Sequence, residues 1–242
     1  MWCRGSGSGG NARVRNGERM RRRGQAPEGT RAPGAVSGCG AAAPRIRSPL
    51  GSFPMTRIIA GFAGSLALEV PRTGTRPTSD RVREALFSAL ESRDAIDGAR
   101  VLDLYAGTGA LGLEAASRGA TEVVLVEKNG RAAKVCRANA EQVTARAPRG
   151  TAPQVRVAAV AAQPFLETGH DAFDLVLIDP PYELGEPELT ALLAALPARL
   201  SDDAVVLVER SARAPEPSWP EGLELERRRD YGDTTVWFAS RP

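Results

Sequence analysis

Residues 103–112 read Asp103-Leu104-Tyr105-Ala106-Gly107-Thr108-Gly109-Ala110-Leu111-Gly112, and they continue the run Arg100-Val101-Leu102. An apolar strand that runs into a glycine-rich loop and then a helix is the start of a nucleotide-binding α/β unit. Gly107 and Gly109 let the backbone bend tightly and approach a ligand. The next strand, Glu122-Val123-Val124-Leu125-Val126, ends at Glu127. A carboxylate there can accept hydrogen bonds from both hydroxyls of a ribose. This much fits NAD and an adenosyl group alike. Asp103 and the intervening Tyr105-Ala106 separate the two, because the loop starts late and presents a carboxylate. That charge repels a pyrophosphate and suits the ammonium of S-adenosylmethionine. A glycine-rich turn without a ligand is the bland alternative, and the paired Glu127 weighs against it.

Outward from this loop the chain alternates strand and helix. A helix is expected from about Ala110 to Arg118, another from about Arg131 to Val143, then a weak strand over 154–158 and a short helix near Phe165. The apolar strand Phe173-Asp174-Leu175-Val176-Leu177-Ile178 follows, then a helix from about Pro187 to Leu200 and the strand Ala204-Val205-Val206-Leu207-Val208-Glu209. Runs of Val, Leu and Ile with little polar alternation suit strands buried on both faces, so the sheet is mainly parallel with helices over it. Segments 223–226 and 234–238, joined through Tyr231-Gly232-Asp233, read as an antiparallel hairpin at one edge. Upstream, 57–61 and 66–70 read as a short hairpin. Thr78-Ser79-Asp80 then offer N-caps for a helix to about Leu90.

Asp179-Pro180-Pro181-Tyr182 follows the most apolar strand, and open α/β sheets bind ligands at the carboxyl ends of their strands. An exocyclic amine on a nucleic-acid base is a poor nucleophile, since its lone pair is delocalised into the ring. The Asp179 carboxylate and the Pro180 carbonyl can each accept one amine hydrogen, which aims the lone pair at a methyl donor. Pro180 and Pro181 stiffen the loop. Tyr182 offers a face for an extruded base. A turn that merely ends a buried strand is the alternative; the glycine loop and Glu127 lower its weight. Glu209 also ends a strand and is expected to be an edge charge facing solvent.

Composition bounds the rest. The hydrophobic fraction is 42% and no apolar run approaches the roughly 20 residues that span a bilayer, so a soluble, cytoplasmic protein is expected. Cys3, Cys39 and Cys136 lack paired spacing, and His170 is the only histidine, so no metal site is expected. Residues 1–54 hold ten Arg against two Glu, which leaves 22 basic and 27 acidic residues, a net charge of −5, for 55–242. That Gly/Arg-rich extension is expected to be disordered, with Met55 as a candidate functional start. The expected organisation is therefore 1–54 extension, 55–95 hairpin and helix, and 96–242 catalytic domain. Nucleic-acid contact must come from a local basic patch, for which Arg57, Arg76, Arg81 and Arg83 are the candidates.

From Met55 onward the sequence resembles the bacterial 16S rRNA (guanine(966)-N2)-methyltransferase family, known as RsmD. Arg57 to Gly61, Arg76-Pro77-Thr78-Ser79-Asp80-Arg81-Val82-Arg83-Glu84-Ala85-Leu86-Phe87, Asp103 to Gly112, Asp179 to Tyr182 and Tyr231 to Thr234 carry the resemblance. The second stretch is the most family-specific. The resemblance implies a seven-stranded Rossmann-like class I methyltransferase fold and S-adenosylmethionine as donor. It also implies a guanine N2 of 16S rRNA as target, in the 30S subunit or an assembly intermediate; separately, a monomer is expected. Its cofactor residues would be Asp103, Tyr105, Gly107, Gly109, Glu127 and Thr78. Two features depart from the pattern: the long extension, and Ala159-Val160-Ala161-Ala162-Gln163, where a polar residue for the cofactor's adenine is usual. Gln163 or a backbone contact is the expected substitute. DNA adenine-N6 and protein glutamine-N5 methyltransferases share the two general motifs, and a catalytically silent RNA-binding assembly factor could retain the fold.

Overall fold

The computed structural model describes residues 56–70 and 79–241. The expectations for residues 1–54, Met55, Arg76 and Thr78 lie outside the described residues.

Nine strands and five helices follow one another in the order β1 (Thr56–Arg57), β2 (Ala67–Leu68), α1 (Asp80–Glu91), β3 (Arg100–Leu104), α2 (Ala110–Ser117), β4 (Glu122–Val126), α3 (Gly130–Thr144), β5 (Gln154–Ala158), α4 (Ala162–Thr168), β6 (Phe173–Ile178), α5 (Glu186–Ala195), β7 (Leu200–Ser211), β8 (Glu224–Tyr231) and β9 (Thr234–Ser240) among the described residues. Seven of the strands form one sheet in the order β5-β4-β3-β6-β7-β9-β8. The first five are parallel, and β9 pairs antiparallel with both β7 and β8. The expected seven-stranded, mainly parallel sheet with a C-terminal antiparallel hairpin is what forms.

Two cores flank this sheet because side chains alternate along each strand. Val101, Val123, Leu125, Leu175, Leu177, Val205 and Leu207 point to the side packed by α1, α2 and α3. Leu102, Leu104, Val124, Val126, Val176, Ile178, Val206 and Val208 point to the side packed by α4 and α5. Burial on both faces explains why these strands read as continuous apolar runs. Truncating such a residue, as in Leu102→Ala, would remove about 2–5 kcal/mol of stability.

Three local outcomes differ from the sequence expectations. The 57–61/66–70 hairpin forms only a two-residue bridge pair, Thr56 with Leu68 and Arg57 with Ala67. The backbone between them bonds to α2 instead: Ile59 and Ala60 N–H donate to the Glu114 carboxylate at 2.7 and 3.0 Å, and Ala63 N–H donates to Ser117 Oγ at 2.9 Å. Gly61 lies so close to the Ser117 carbonyl that a Cβ would sit 1.8 Å from its oxygen. Secondly, α5 stops at Ala195, and a short 3-10 turn over Pro197–Arg199 leads into β7. Pro197 has no N–H to continue the helix, and its ring crowds the preceding turn. Thirdly, β8 reaches Tyr231, because its backbone pairs with β9 along its length although its side chains are exposed.

Candidate active site

Strand register brings the site together. Leu104 of β3 sits opposite Val126 of β4 and Ile178 of β6, and Ile178 sits opposite Val208 of β7. The residues that follow, Glu127, Tyr105, Asp179 and Glu209, therefore form a row across four adjacent strands at the carboxyl edge. With strands about 4.8 Å apart, Glu127 and Asp179 flank Tyr105 at about 10 Å from one another. The two motifs, separated by some seventy residues of sequence, lie along one edge of the sheet.

On the cofactor side, Tyr105 takes a φ of +66°, and Gly107 and Gly109 take +55° and +81°. A tyrosine in the left-handed region is unusual, and it turns the chain sharply off β3. Burial, followed by the charge of Glu188, raises the Tyr105 phenol above its ordinary value. The Gly107 N–H donates to Glu127 Oε2 at 3.0 Å, and Asn129 N–H donates to Oε1 at 2.6 Å. Those two amides fix the Glu127 carboxylate and leave lone pairs on each oxygen for a diol. At Gly109 a Cβ would press on Cys136 Sγ and on the Leu113 side chain, both at 3.0 Å. The Cys136 thiol is buried and its pKa is pushed up to about 12, chiefly by desolvation, so it is an inert packing group.

Asp103 occupies a position on the α1–α3 side of β3 where the alternation calls for an apolar residue, and it is 1% exposed. It fits because Gly112 above it has no side chain: a Cβ there would lie 3.1 Å from Asp103 Oδ2 and 2.3 Å from Leu125 Cδ2. The Gly112 N–H donates to Oδ2 at 2.8 Å. Burial pushes the carboxyl up to about 8, the Gly112 bond opposes this, and the charges of Asp179 and Glu127 add to the rise. A buried acid held this way is a ready partner for a cation, as the ammonium of S-adenosylmethionine requires. The residue set thus fits that cofactor. Gln163 donates to Glu167 at 2.8 Å and Val160 is partly exposed, which leaves backbone groups as the simplest partners for adenine.

On the substrate side Asp179 is half-buried, Pro180 is buried, and Pro181 and Tyr182 are exposed, with Tyr182 at 67%. The expectation for Glu209 needs correction: β7 is flanked by β6 and β9, so the residue is buried at 6% exposure rather than turned to solvent. Arg83 is corrected likewise. Its guanidinium is 1% exposed, donates to the Arg57 carbonyl and to Asp80 at 3.0 Å, and lies 4.0 Å from Glu114. It fastens α1 to the chain before it and cannot reach a phosphate. Arg57 and Arg81 are exposed, Arg57 paired with Asp80 at 2.9 Å.

Sequence reasoning passed over Asn139 on α3. It is fully buried; its amide donates to the carbonyls of Thr108 at 2.9 Å and Glu69 at 3.0 Å, while its oxygen accepts from Glu69 N–H at 2.8 Å. It ties the glycine loop to the N-terminal segment. A polar residue amid the apolar positions Cys136, Ala140 and Val143 was the available signal. No group of three or more His, Cys, Asp or Glu among the described residues is arranged to hold a metal ion, and no described helix is long and apolar enough to cross a membrane.

Sheet order, glycine loop and Asp-Pro-Pro-Tyr corner together define a Rossmann-like methyltransferase fold. Residues 56–240 match the family model described as "Conserved hypothetical protein 95". The ribosomal RNA small subunit methyltransferase D of Escherichia coli (strain K12) is 36% identical over 186 residues, 76% of this chain and 89% of that protein. The chain belongs to this ribosomal RNA small subunit methyltransferase D family. A solved hypothetical protein from Thermus thermophilus superposes with a TM-score of 0.62 at 32% identity, covering 75% of this chain and 97% of that one. The magnesium protoporphyrin IX methyltransferase of Synechocystis, solved with bound SAM, shares the fold at a TM-score of 0.52 and 14% identity, covering 70% and 87%.

Proposed function

We propose that this chain transfers a methyl group from S-adenosylmethionine to the exocyclic N2 of a guanine in 16S rRNA, of the guanine 966 type. The substrate would be the 30S subunit or an assembly intermediate, and the enzyme a cytoplasmic monomer. The observation that carries this reading is the row Glu127–Tyr105–Asp179 on adjacent strands, which sets a cofactor half beside an amine-holding half. The family's membership in small-subunit rRNA methyltransferases supports the substrate class. Residues 96–242 are read as the catalytic domain and 55–95 as its N-terminal hairpin and helix.

When bound, S-adenosylmethionine supplies an electrophilic methyl group on a sulfonium. Asp103 offsets the donor's ammonium, and Glu127 accepts from its ribose hydroxyls. Asp179 and the Pro180 carbonyl accept the two hydrogens of the guanine amine and hold its lone pair toward the methyl group. This favours the transition state, in which the nitrogen becomes positive and a nearby carboxylate stabilises it. Asp179 also takes the proton that the methylated nitrogen releases. The exposed Tyr182 ring stacks on the extruded base, a gain of about 1–3 kcal/mol.

The test incubates the full chain and labelled S-adenosylmethionine with 30S subunits lacking small-subunit guanine-N2 methylation, then identifies the labelled nucleoside by mass spectrometry. Label in N2-methylguanosine at one position is expected. No labelled nucleoside, with the cofactor demonstrably bound, would contradict the reading.

A further inference from the structure

Charge is distributed unevenly over this protein. Residues 55–242 carry a net −5, yet 128–149 hold six cations, Lys128, Arg131, Lys134, Arg137, Arg146 and Arg149, against the single Glu141. That segment is therefore +5 and the rest of 55–242 is −10. All six cations are exposed. Some exposed arginines elsewhere are matched with carboxylates, as Arg57 with Asp80, Arg156 with Asp171 and Arg228 with Asp230, while Arg81, Arg213, Arg227 and Arg229 are scattered among acidic neighbours rather than gathered into a run. Among the described residues none of the six has such an ion pair.

The helix arranges three of these charges on one side, and the other three lie in the segments that flank it. Arg131, Lys134 and Arg137 are spaced by three, opposite the buried Ala133, Cys136, Ala140 and Val143. With 1.5 Å rise per residue, the stripe from Arg131 to Arg137 runs about 9 Å along the first half of α3. Like charges at this spacing destabilise a helix by a few tenths of a kcal/mol per pair, so the arrangement works against folding. The helix N-terminus is satisfied separately, since Asn129 Oδ1 accepts from the Arg131 and Ala132 N–H groups at 2.9 and 3.1 Å. The six side chains are free for a partner, and the basic segment begins at Lys128, next to Glu127 at the carboxyl edge.

We propose that the basic side of α3, with the loop that follows it, docks the phosphate backbone of the rRNA substrate. This rests on the functional reading above and adds where the polyanion lies. Phosphate contacts position a nucleic acid while base contacts specify it, and the structure divides these tasks between α3 and the Asp179–Tyr182 corner. The other exposed arginine group, Arg227 and Arg229 on β8, shares its strand with Glu224, Glu226 and Asp230, so its net field is weak. It serves as the comparison surface.

The experiment compares the wild-type chain, a triple variant Arg131→Ala/Lys134→Ala/Arg137→Ala, and a double variant Arg227→Ala/Arg229→Ala. Alanine favours an exposed helix, and calorimetric S-adenosylmethionine binding verifies that each variant is folded. Binding to 30S subunits is measured over a range of salt, together with methylation kinetics. The triple variant should lower the slope of log K against log salt by about 2–3 and raise KM for 30S about 10- to 100-fold, with cofactor affinity unchanged. The double variant should change the slope by less than about 1. A triple variant with wild-type slope and KM, alongside an active wild-type chain, overturns this inference and leaves the functional reading standing. A wild-type chain that methylates no rRNA overturns both.

Discussion

At the amino end of the sheet Asp174 receives two bonds from the Arg100 guanidinium, at 3.1 and 3.0 Å, whereas at the carboxyl end Asp103 receives a single amide, from Gly112. The Arg100 bonds hold Asp174 down at about 2 against partial burial, and Ser201 assists. Burial drives Asp103 up to about 8. The signs of their contributions to stability are opposite. Asp174 stabilises the fold above its ordinary 3.8, and that contribution is lost as pH falls through about 2. Asp103 binds its proton more tightly folded than unfolded. Its contribution is fully present below 3.8 and is lost as pH rises from there through about 8. At one end of the sheet the carboxylate is ionised and paired; at the other, burial holds a carboxyl group in its protonated form at neutral pH.

The largest effect that could break this contrast lies at the carboxyl end. Asp179→Ala should slow methyl transfer about 10²- to 10³-fold at saturating substrate while leaving S-adenosylmethionine affinity near wild type, measured by single-turnover kinetics and calorimetry. A variant with unimpaired turnover would remove Asp179 from the chemistry. Next in size, Asp103→Asn keeps the acceptor for Gly112 but removes the charge. Cofactor affinity should fall about 10- to 100-fold, the worth of a hydrogen bond to a charged group, while stability of the free protein at pH 7 is not reduced. Equal affinity for the two proteins would mean that Asp103 only fills space. The smallest effect is expected at the amino end: Arg100→Ala, at a pair with both side chains more than a third exposed, should cost at most about 1 kcal/mol in denaturant unfolding at neutral pH and leave turnover intact.

Legibility in the sequence followed the same division between backbone pattern and side-chain company. The strands with two buried faces announced themselves through runs such as Val123-Val124-Leu125-Val126, and they place the glycine loop and Asp179 at one edge without further information. The second half of β8 escaped because Arg227-Arg228-Arg229 carries no apolar alternation; its pairing is a backbone matter settled by β9. Arg83 and Glu209 were misjudged because charge suggests exposure, yet one is paired across chain segments and the other lies in a strand covered on both edges. The N-terminal hairpin was overdrawn since its amides go to Glu114 and Ser117, more than fifty residues away, a partnership no local window contains. Asn139 was missed for the same reason, its three bonds reaching Glu69 and Thr108.

The contrast between the two ends is tested most directly by the proton balance of cofactor binding. S-adenosylmethionine is titrated into the full chain at pH 7 in buffers of different ionisation enthalpy, with 5′-methylthioadenosine, which lacks the ammonium, as the comparison ligand. A carboxyl at about 8 that ionises against the ammonium releases about 0.8 proton per site, after allowing for uptake by the donor's own amino group. Methylthioadenosine should release almost none. Equal proton release with both ligands, or none with either, would contradict the assignment of Asp103 as the cation partner of the cofactor.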